Sequence, residues 1–160
     1  LDPAAPANAF QTVDRSGRPV VIFTGTMLKS FRNADEMAFV MSHEMAHHIL
    51  GHLDQQRINA VKGAVFLGEL VSLEGGTPEQ VANAQYVGAV VGARSYSKAF
   101  ELEADTLGTI ITHQAGYRPS IGVKYFDAIP DPGDAFLGTH PANPDRIRLV
   151  NQTIRKYRLN

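Results

Sequence analysis

The most constraining feature of the sequence is the run His43-Glu44-Met45-Ala46-His47, which lies within an apolar helical pattern. Asn33 is suited to cap this helix, and Glu36, three residues later, completes a pair typical of a capping box. We predict a helix from Ala34 to His52. Four residues make slightly more than one turn, so the two outer histidines of the run lie about 40° apart around the axis. Both imidazoles can therefore reach one metal ion.

Glu44 projects about 100° from His43, so its carboxylate lies beside such an ion and can take a proton from water. The alternative is that the motif lies on a polar helix face without function. A chance match in a chain of this composition has odds of roughly one in a hundred, and unpaired polar groups within an apolar helix are costly. We therefore favour a metal site with Glu44 as general base. His48 and His52 point elsewhere on the predicted helix, where a surface or packing role is expected.

A catalytic zinc site usually takes three protein ligands and leaves one position to water, so a third ligand is needed. In a metzincin pattern a glycine and a further histidine would follow the second histidine, but Leu50 and Leu53 occupy those positions. That pattern is therefore excluded. The remaining candidate is a carboxylate on a later helix that returns antiparallel to the first.

Three carboxylates follow closely in the run Glu101-Leu102-Glu103-Ala104-Asp105. Glu101 and Asp105 are four residues apart and share a helix face, whereas Glu103 points about 200° away from Glu101. Only one of the two glutamates can therefore meet the metal. We assign Glu101 as the ligand, because Asp105 then lies one turn along and can accept a hydrogen bond from a ligand histidine. A plain charged surface face is the alternative.

Composition narrows the remaining possibilities. The chain has 160 residues, 44% of them hydrophobic, which predicts one catalytic domain over residues 1–160. Cysteine is absent and 15 basic residues balance 16 acidic ones, so thiolate zinc sites and nucleic-acid partners are not expected. The longest apolar runs are shorter than the roughly 20 residues that cross a bilayer. We expect no transmembrane span, while peripheral membrane association stays open.

These residues resemble the gluzincin zinc metallopeptidase family of the CAAX prenyl endopeptidase, HtpX-like, Oma-like and periplasmic β-barrel-assembly-enhancing proteases. The likeness extends over most of the chain and includes Asn8-Ala9-Phe10, Thr24-Gly25, His140-Pro141 and Arg146-Ile147. It implies one Zn²⁺ per chain, held by His43, His47 and Glu101. We expect an α+β, mainly helical fold of the zincin-like minimal type, with a small β-sheet and an edge strand above the metal helix.

The resemblance also implies roles for residues outside the metal motif. His140 either stabilises the developing oxyanion or approaches the metal, and Arg146 anchors its loop by pairing with a carboxylate. An exposed loop position without function is the alternative for His140. The loop around Pro130 to Asn143 is expected to cross the cleft. A strand that aligns an extended substrate is assigned to Val20, Val21, Ile22 and Phe23, because edge strands offer unpaired backbone groups.

The resemblance implies the activity of a zinc-dependent endopeptidase that acts on polypeptides in bacterial envelope protein quality control. Residues 1–6 lack the pattern of a secretion signal, so a periplasmic or envelope location rests on the resemblance. One alternative is a latent or non-proteolytic assembly factor that binds unfolded envelope proteins. Another is a non-haem iron oxygenase with two histidines and one carboxylate, a class that does not require a glutamate beside the first ligand.

Overall fold

Helices make up most of the computed structural model, which describes residues 5–95, 97–131 and 140–159. A two-stranded antiparallel sheet precedes them, so the predicted α+β, mainly helical fold is confirmed. In chain order the elements are β1 (Ala9–Val13), β2 (Pro19–Phe23), α1 (Gly25–Ser30), α2 (Ala34–Ile49), α3 (His52–Leu73), α4 (Pro78–Arg94), α5 (Ser97–Gln114), α6 (Pro119–Gly122), a 3₁₀ helix (Val123–Asp127) and α7 (Asn143–Tyr157).

The small sheet is a β-hairpin in which Ala9 lies opposite Phe23 and Val13 lies opposite Pro19. Its turn is closed by Asp14, whose Oδ1 accepts hydrogen bonds from two backbone N–H groups of the turn. The predicted strand corresponds to β2, whereas β1 was not foreseen. Of the two strands, β1 packs more closely against α2.

Helix α2 begins after the predicted cap residue Asn33, but without the second hydrogen bond of a capping box, and it ends earlier than expected. The Asn33 side chain accepts a hydrogen bond from the Glu36 N–H, while the Glu36 carboxylate binds the backbone and side chain of Arg32. Gly51 has φ of 70°, a left-handed conformation that glycine adopts without a steric penalty. The helix therefore stops at Ile49, and the predicted extension to His52 was wrong.

The core lies where α2 and α5 pack against α7 and the 3₁₀ helix. Gly108 permits close contact, because a Cβ there would lie 3.0 Å from the backbone N and Cα of His43. The pairing of α2 with α5 thus holds two distant parts of the sequence in fixed register. The buried apolar side chains of this core are Phe39, Val123, Phe126, Val150, Ile154 and Leu159.

The helices α3 and α4 form an antiparallel hairpin that packs mainly on itself. Thr77 and Gln80 make a capping box at the start of α4, and Pro78 occupies its first turn. Helix α4 ends at Arg94, and α5 begins at Ser97. Among the described residues, no helix has both the length and the hydropathy that a membrane span requires.

Candidate metal centre

Two imidazoles from α2 and one carboxylate from α5 converge at the contact between these helices. The Nε2 atoms of His43 and His47 are 3.0 Å apart. Glu101 Oε2 lies 3.3 Å from His43 Nε2, and Oε1 lies 3.2 Å from His47 Nε2. All three side chains are thus turned toward one point, with one ligand atom each within 4.8 Å of the others.

The residues present fit a divalent cation. Glu101 is buried, and three nitrogen atoms lie within 3.3 Å of its Oε2, yet none of them is oriented to donate a hydrogen bond to it. A buried acceptor without a donor is costly, and a cation would satisfy it. Two imidazoles and a carboxylate also form the donor set of catalytic zinc sites with three protein ligands.

Asp105 contacts the imidazole of His43, and Arg146 pairs with Asp105. The Arg146 Nε and Nη2 atoms donate to the two Asp105 carboxylate oxygens at 2.7 Å, and both side chains are buried. His43 Nδ1 lies 3.0 Å from Asp105 Oδ1, so its N–H can donate to that carboxylate and leave Nε2 free to bind a cation. The Arg146 guanidinium also lies 4.2 Å from the centre of the Phe126 ring.

Burial and ion pairing act in opposite directions on the charges of this site. Burial opposes ionisation of Asp105, but its hydrogen bonds with Arg146 and His43 hold the pKa of that carboxyl below its usual range. Burial likewise opposes ionisation of Glu101, yet the imidazoles of His140, His43 and His47 hold its pKa well below the usual value. Both carboxylates are therefore charged at neutral pH.

Glu44 faces the same cleft as His43 and Glu101. This cleft has a volume of about 350 Å³, and its walls include Glu44, His43, Glu101 and Arg146. Burial raises the pKa of Glu44 to about 7, while the neighbouring His43 and a hydrogen bond with the Gln11 backbone lower it. A carboxyl group with a pKa near neutrality can both accept and return a proton.

His52 was expected to have only a surface or packing role, and the structure places it beside a metal-facing histidine. Its Nδ1 lies 2.8 Å from His47 Nδ1, and its Nε2 lies 3.1 Å from Glu103 Oε2. Burial lowers the pKa of His52, against a smaller raising effect from Glu103. The expected orientation of His52 was wrong because the predicted helix α2 continued through His52, whereas the turn at Gly51 returns the chain to His47. The expected packing role is not contradicted, since His52 is buried and stacks on Phe100. The glycine after Leu50 was the signal that could have revealed this.

His140 lies beside the Glu101 carboxylate. Its Nδ1 is 3.0 Å from Glu101 Oε2, and about half of the side chain is exposed. The predicted loop across the cleft, Pro130 to Asn143, lies largely outside the described residues, which resume at His140.

The strand assigned to substrate alignment lies away from the described cleft wall. Ala7, Asn8 and Ala9, at the start of β1, line the cleft, whereas none of Val20 to Phe23 is among its described lining residues. β2 is joined to β1 along its length. The alignment role of β2 therefore gains no support from the cleft geometry, and the segment before β1 is the better placed of the two.

A helix pair that presents H-E-x-x-H histidines and a carboxylate to one point defines a metallopeptidase type of site. Residues 2–154 match Peptidase family M48. The chain belongs to this family, which confirms the resemblance found in the sequence. Membership implies a divalent metal, typically zinc, and the cluster of His43, His47 and Glu101 could bind it.

The names of several relatives agree with this assignment. The chain is 28% identical over 137 residues to the mitochondrial metalloendopeptidase OMA1 of Arabidopsis thaliana, covering 83% of this chain and 27% of the relative. It is 28% identical over 154 residues to a putative beta-barrel assembly-enhancing protease of Vibrio cholerae, covering 88% of this chain and 32% of that relative. Its identity to the mitochondrial metalloendopeptidase OMA1 of Saccharomyces cerevisiae is 27% over 169 residues, covering 97% of this chain and 46% of that relative. The chain thus spans less than half of each relative, and no solved structure matches it significantly.

Proposed function

We propose that this protein is a zinc-dependent endopeptidase in which His43, His47 and Glu101 hold one zinc ion per chain. The proposal rests above all on the convergence of the two Nε2 atoms and the Glu101 carboxylate at mutual distances of 3.0–3.3 Å. Membership of a peptidase family and the metalloendopeptidase names of the relatives support it. Residues 1–160 are proposed to act as one catalytic domain.

The chemistry follows from the groups around the cleft. When bound, zinc polarises a peptide carbonyl and lowers the pKa of a water molecule to about 7. The Glu44 carboxylate takes the proton from the attacking water and passes it to the nitrogen of the leaving amine. Asp105 and Arg146 hold the His43 ring in place during this transfer.

For His140 two roles were predicted, and the described contact favours one of them. A side chain 3.0 Å from the Glu101 carboxylate is close enough to approach the metal position. We therefore propose that His140 acts at the metal rather than only at the oxyanion. Its partial exposure leaves room for it to move away when a substrate enters the cleft.

The decisive experiment is the variant Glu44→Gln, which removes the base and leaves the ligands in place. We expect zinc content to stay at one ion per chain while hydrolysis of casein falls about 10²–10⁴-fold, the typical contribution of a general base. Glu79→Gln, at the exposed start of α4, is the matched control and should keep full activity. Undiminished cleavage by Glu44→Gln would refute the mechanism.

A latent or non-proteolytic assembly factor is the second candidate, favoured by the position of His140 against the metal-facing carboxylate. Casein digestion with and without a chelator separates the two functions, because a latent binder shows no chelator-sensitive turnover. A non-haem iron oxygenase is disfavoured by the peptidase family match. Elemental analysis of the purified protein decides between zinc and iron.

Quality control of envelope proteins in the bacterial periplasm is the proposed setting, with polypeptides as substrates. The Vibrio cholerae relative is named as a putative protease that enhances beta-barrel assembly, which supports a bacterial role in protein assembly, while the periplasmic location rests on the family resemblance. The OMA1 relatives are named mitochondrial, so they support the peptidase activity and not the location. Fractionation of the source cells, followed by immunodetection of this protein, tests the location directly.

A further inference from the structure

Each of the two metal-facing histidines is connected to a carboxylate of α5: His43 directly, and His47 through His52. His43 contacts Asp105 directly, with 3.0 Å between Nδ1 and Oδ1. His47 has no carboxylate at its Nδ1 among the described residues; that atom faces His52 Nδ1 at 2.8 Å. The other nitrogen of His52 lies 3.1 Å from Glu103 Oε2. A chain of two contacts therefore joins His47 to α5.

The direction of the hydrogen bonds in this chain follows from what each group can do. An ionised carboxylate only accepts, so His52 carries its proton on Nε2 and donates it to Glu103. In a neutral imidazole the second nitrogen is then an acceptor. With His52 neutral and its proton on Nε2, the donor in the contact between the two Nδ1 atoms is His47. That arrangement leaves the His47 Nε2 lone pair directed toward His43 and Glu101.

The surroundings of His52 hold its ring in the orientation that this contact needs. The side chain is buried, and its ring is stacked on Phe100 with 4.4 Å between centres and 13° between planes. Gly51, in its left-handed conformation, starts α3 at a point from which His52 reaches back to α2. Glu103 is more than half exposed, so it contributes less rigidity than His52 does.

We propose that His52 is a positioning residue for the metal site, which fixes His47 in the tautomer that presents Nε2 to the cation by accepting the hydrogen bond from its Nδ1. This inference rests on the proposed metal-binding role of His47. His52 itself does not touch the metal. Its effect is therefore on the affinity for the ion and the orientation of its ligand.

Two substitutions separate the hydrogen bond from the packing of the ring. His52→Phe keeps an aromatic ring on Phe100 and removes the acceptor, whereas His52→Asn places an oxygen close to the position of Nδ1. Zn²⁺ affinity is measured by competition with a chromophoric chelator, and folding by circular dichroism of the metal-free proteins. We expect His52→Phe to weaken Zn²⁺ binding about 10–100-fold, as loss of a partner behind a ligand histidine typically does. His52→Asn should restore most of that loss.

Equal Zn²⁺ affinity for the wild type and a folded His52→Phe variant would overturn the inference. Equally weak binding by the Phe and Asn variants would overturn it too, because it would indicate a packing role. A second measurement needs no variant: ¹⁵N-resolved NMR of the metal-free wild type should show His47 protonated on Nδ1, and a neutral ring protonated on Nε2 would contradict the proposal. If the wild type binds no Zn²⁺, the proposed function itself fails, which is a distinguishable result.

Discussion

The helix pairs α2–α5 and α3–α4 both pack closely at glycines, but they bury different kinds of side chain. Between α2 and α5, Gly108 lets the helices meet at the His43 backbone, and charged side chains are buried around the contact. In the α3–α4 hairpin, Gly63 and Gly88 bring the backbones even closer, because a Cβ on Gly63 would lie 2.1 Å from the Gly88 carbonyl oxygen. Here large apolar side chains face solvent, Phe66 among them.

This difference shows that close helix packing does not by itself determine what a helix pair buries. The α2–α5 pair buries charges that need partners, so its stability depends on ion pairs and hydrogen bonds. The hairpin buries backbone and small side chains, so its stability depends on steric fit. Substitutions in the two pairs should therefore differ in their effects on stability and on metal binding.

The largest effect is expected from Arg146→Leu, because it leaves Asp105 buried and charged without its bidentate partner. We expect a loss of about 3–5 kcal/mol in the free energy of unfolding at pH 7, measured by urea denaturation of the metal-free protein. Arg148→Leu on the same helix is the control. Its ion pair with Asp145 is exposed and contributes about 0–1 kcal/mol. Similar losses in the two variants would contradict the dependence on buried charge.

The pH dependence of this loss has a defined sign. Arg146 holds the pKa of Asp105 below its usual value, so the stabilisation from this carboxylate is fully present above the unfolded pKa of about 3.9. It is lost as the pH falls through the lower folded-state pKa. The difference in stability between the wild type and Arg146→Leu should therefore narrow in acid. A difference that stays constant to the lowest pH at which both variants fold would contradict this explanation.

A smaller loss is expected from Gly63→Ala in the hairpin, where the new Cβ meets backbone that cannot rotate away. We expect a cost of about 1–3 kcal/mol in thermal or urea unfolding, typical of an overpacked contact. Zn²⁺ affinity should not change, because Gly63 lies about three turns along α3 from His52, the hairpin residue that contacts His47. Gly68→Ala is the matched control on the same helix, since its Cβ meets only the flexible Gln85 side chain. A loss of Zn²⁺ affinity in Gly63→Ala would show that the two helix pairs are coupled.

Gly108→Ala should have a smaller effect on stability than Gly63→Ala, but it should lower the affinity for Zn²⁺. Its Cβ would lie 3.0 Å from the His43 backbone, so α2 must shift by only a few tenths of an ångström. We expect a cost of about 1 kcal/mol in stability, together with a severalfold loss of Zn²⁺ affinity because His43 moves with its helix. Unchanged Zn²⁺ affinity would indicate that the site tolerates displacement of a ligand helix.

The features of the site that the sequence predicts are those fixed by the geometry of a single helix. The spacing of His43 and His47, and the four-residue step from Glu101 to Asp105, follow from helix geometry alone. The structure does bring these four side chains together. Gly108 could be recognised in advance as a point of close helix packing, since it lies on the face shared by Glu101 and Asp105.

Features that depend on where the chain changes direction were not predictable in the same way. The position of His52 depends on the left-handed turn at Gly51, which a continuous helical pattern conceals. The start of α3 at His52 is not visible in the apolar periodicity, because polar residues such as Asp54, Gln55 and Gln56 follow it. β1 was missed because its pairing with β2 is a tertiary contact, and β-propensity alone is weak evidence.

The smallest effect is expected from Phe66→Ser on the outer face of α3. Phe66 is already 67% exposed, so replacing it removes little apolar surface from the buried interior. We expect the free energy of unfolding to change by no more than about 0.5 kcal/mol, and Zn²⁺ affinity to stay the same. Phe39→Ala in the core is the counterpart, because that ring is fully buried and its loss should cost about 3–5 kcal/mol. A large loss in Phe66→Ser would mean that the outer face of the hairpin is buried in solution, and the contrast between the two helix pairs would then have to be revised.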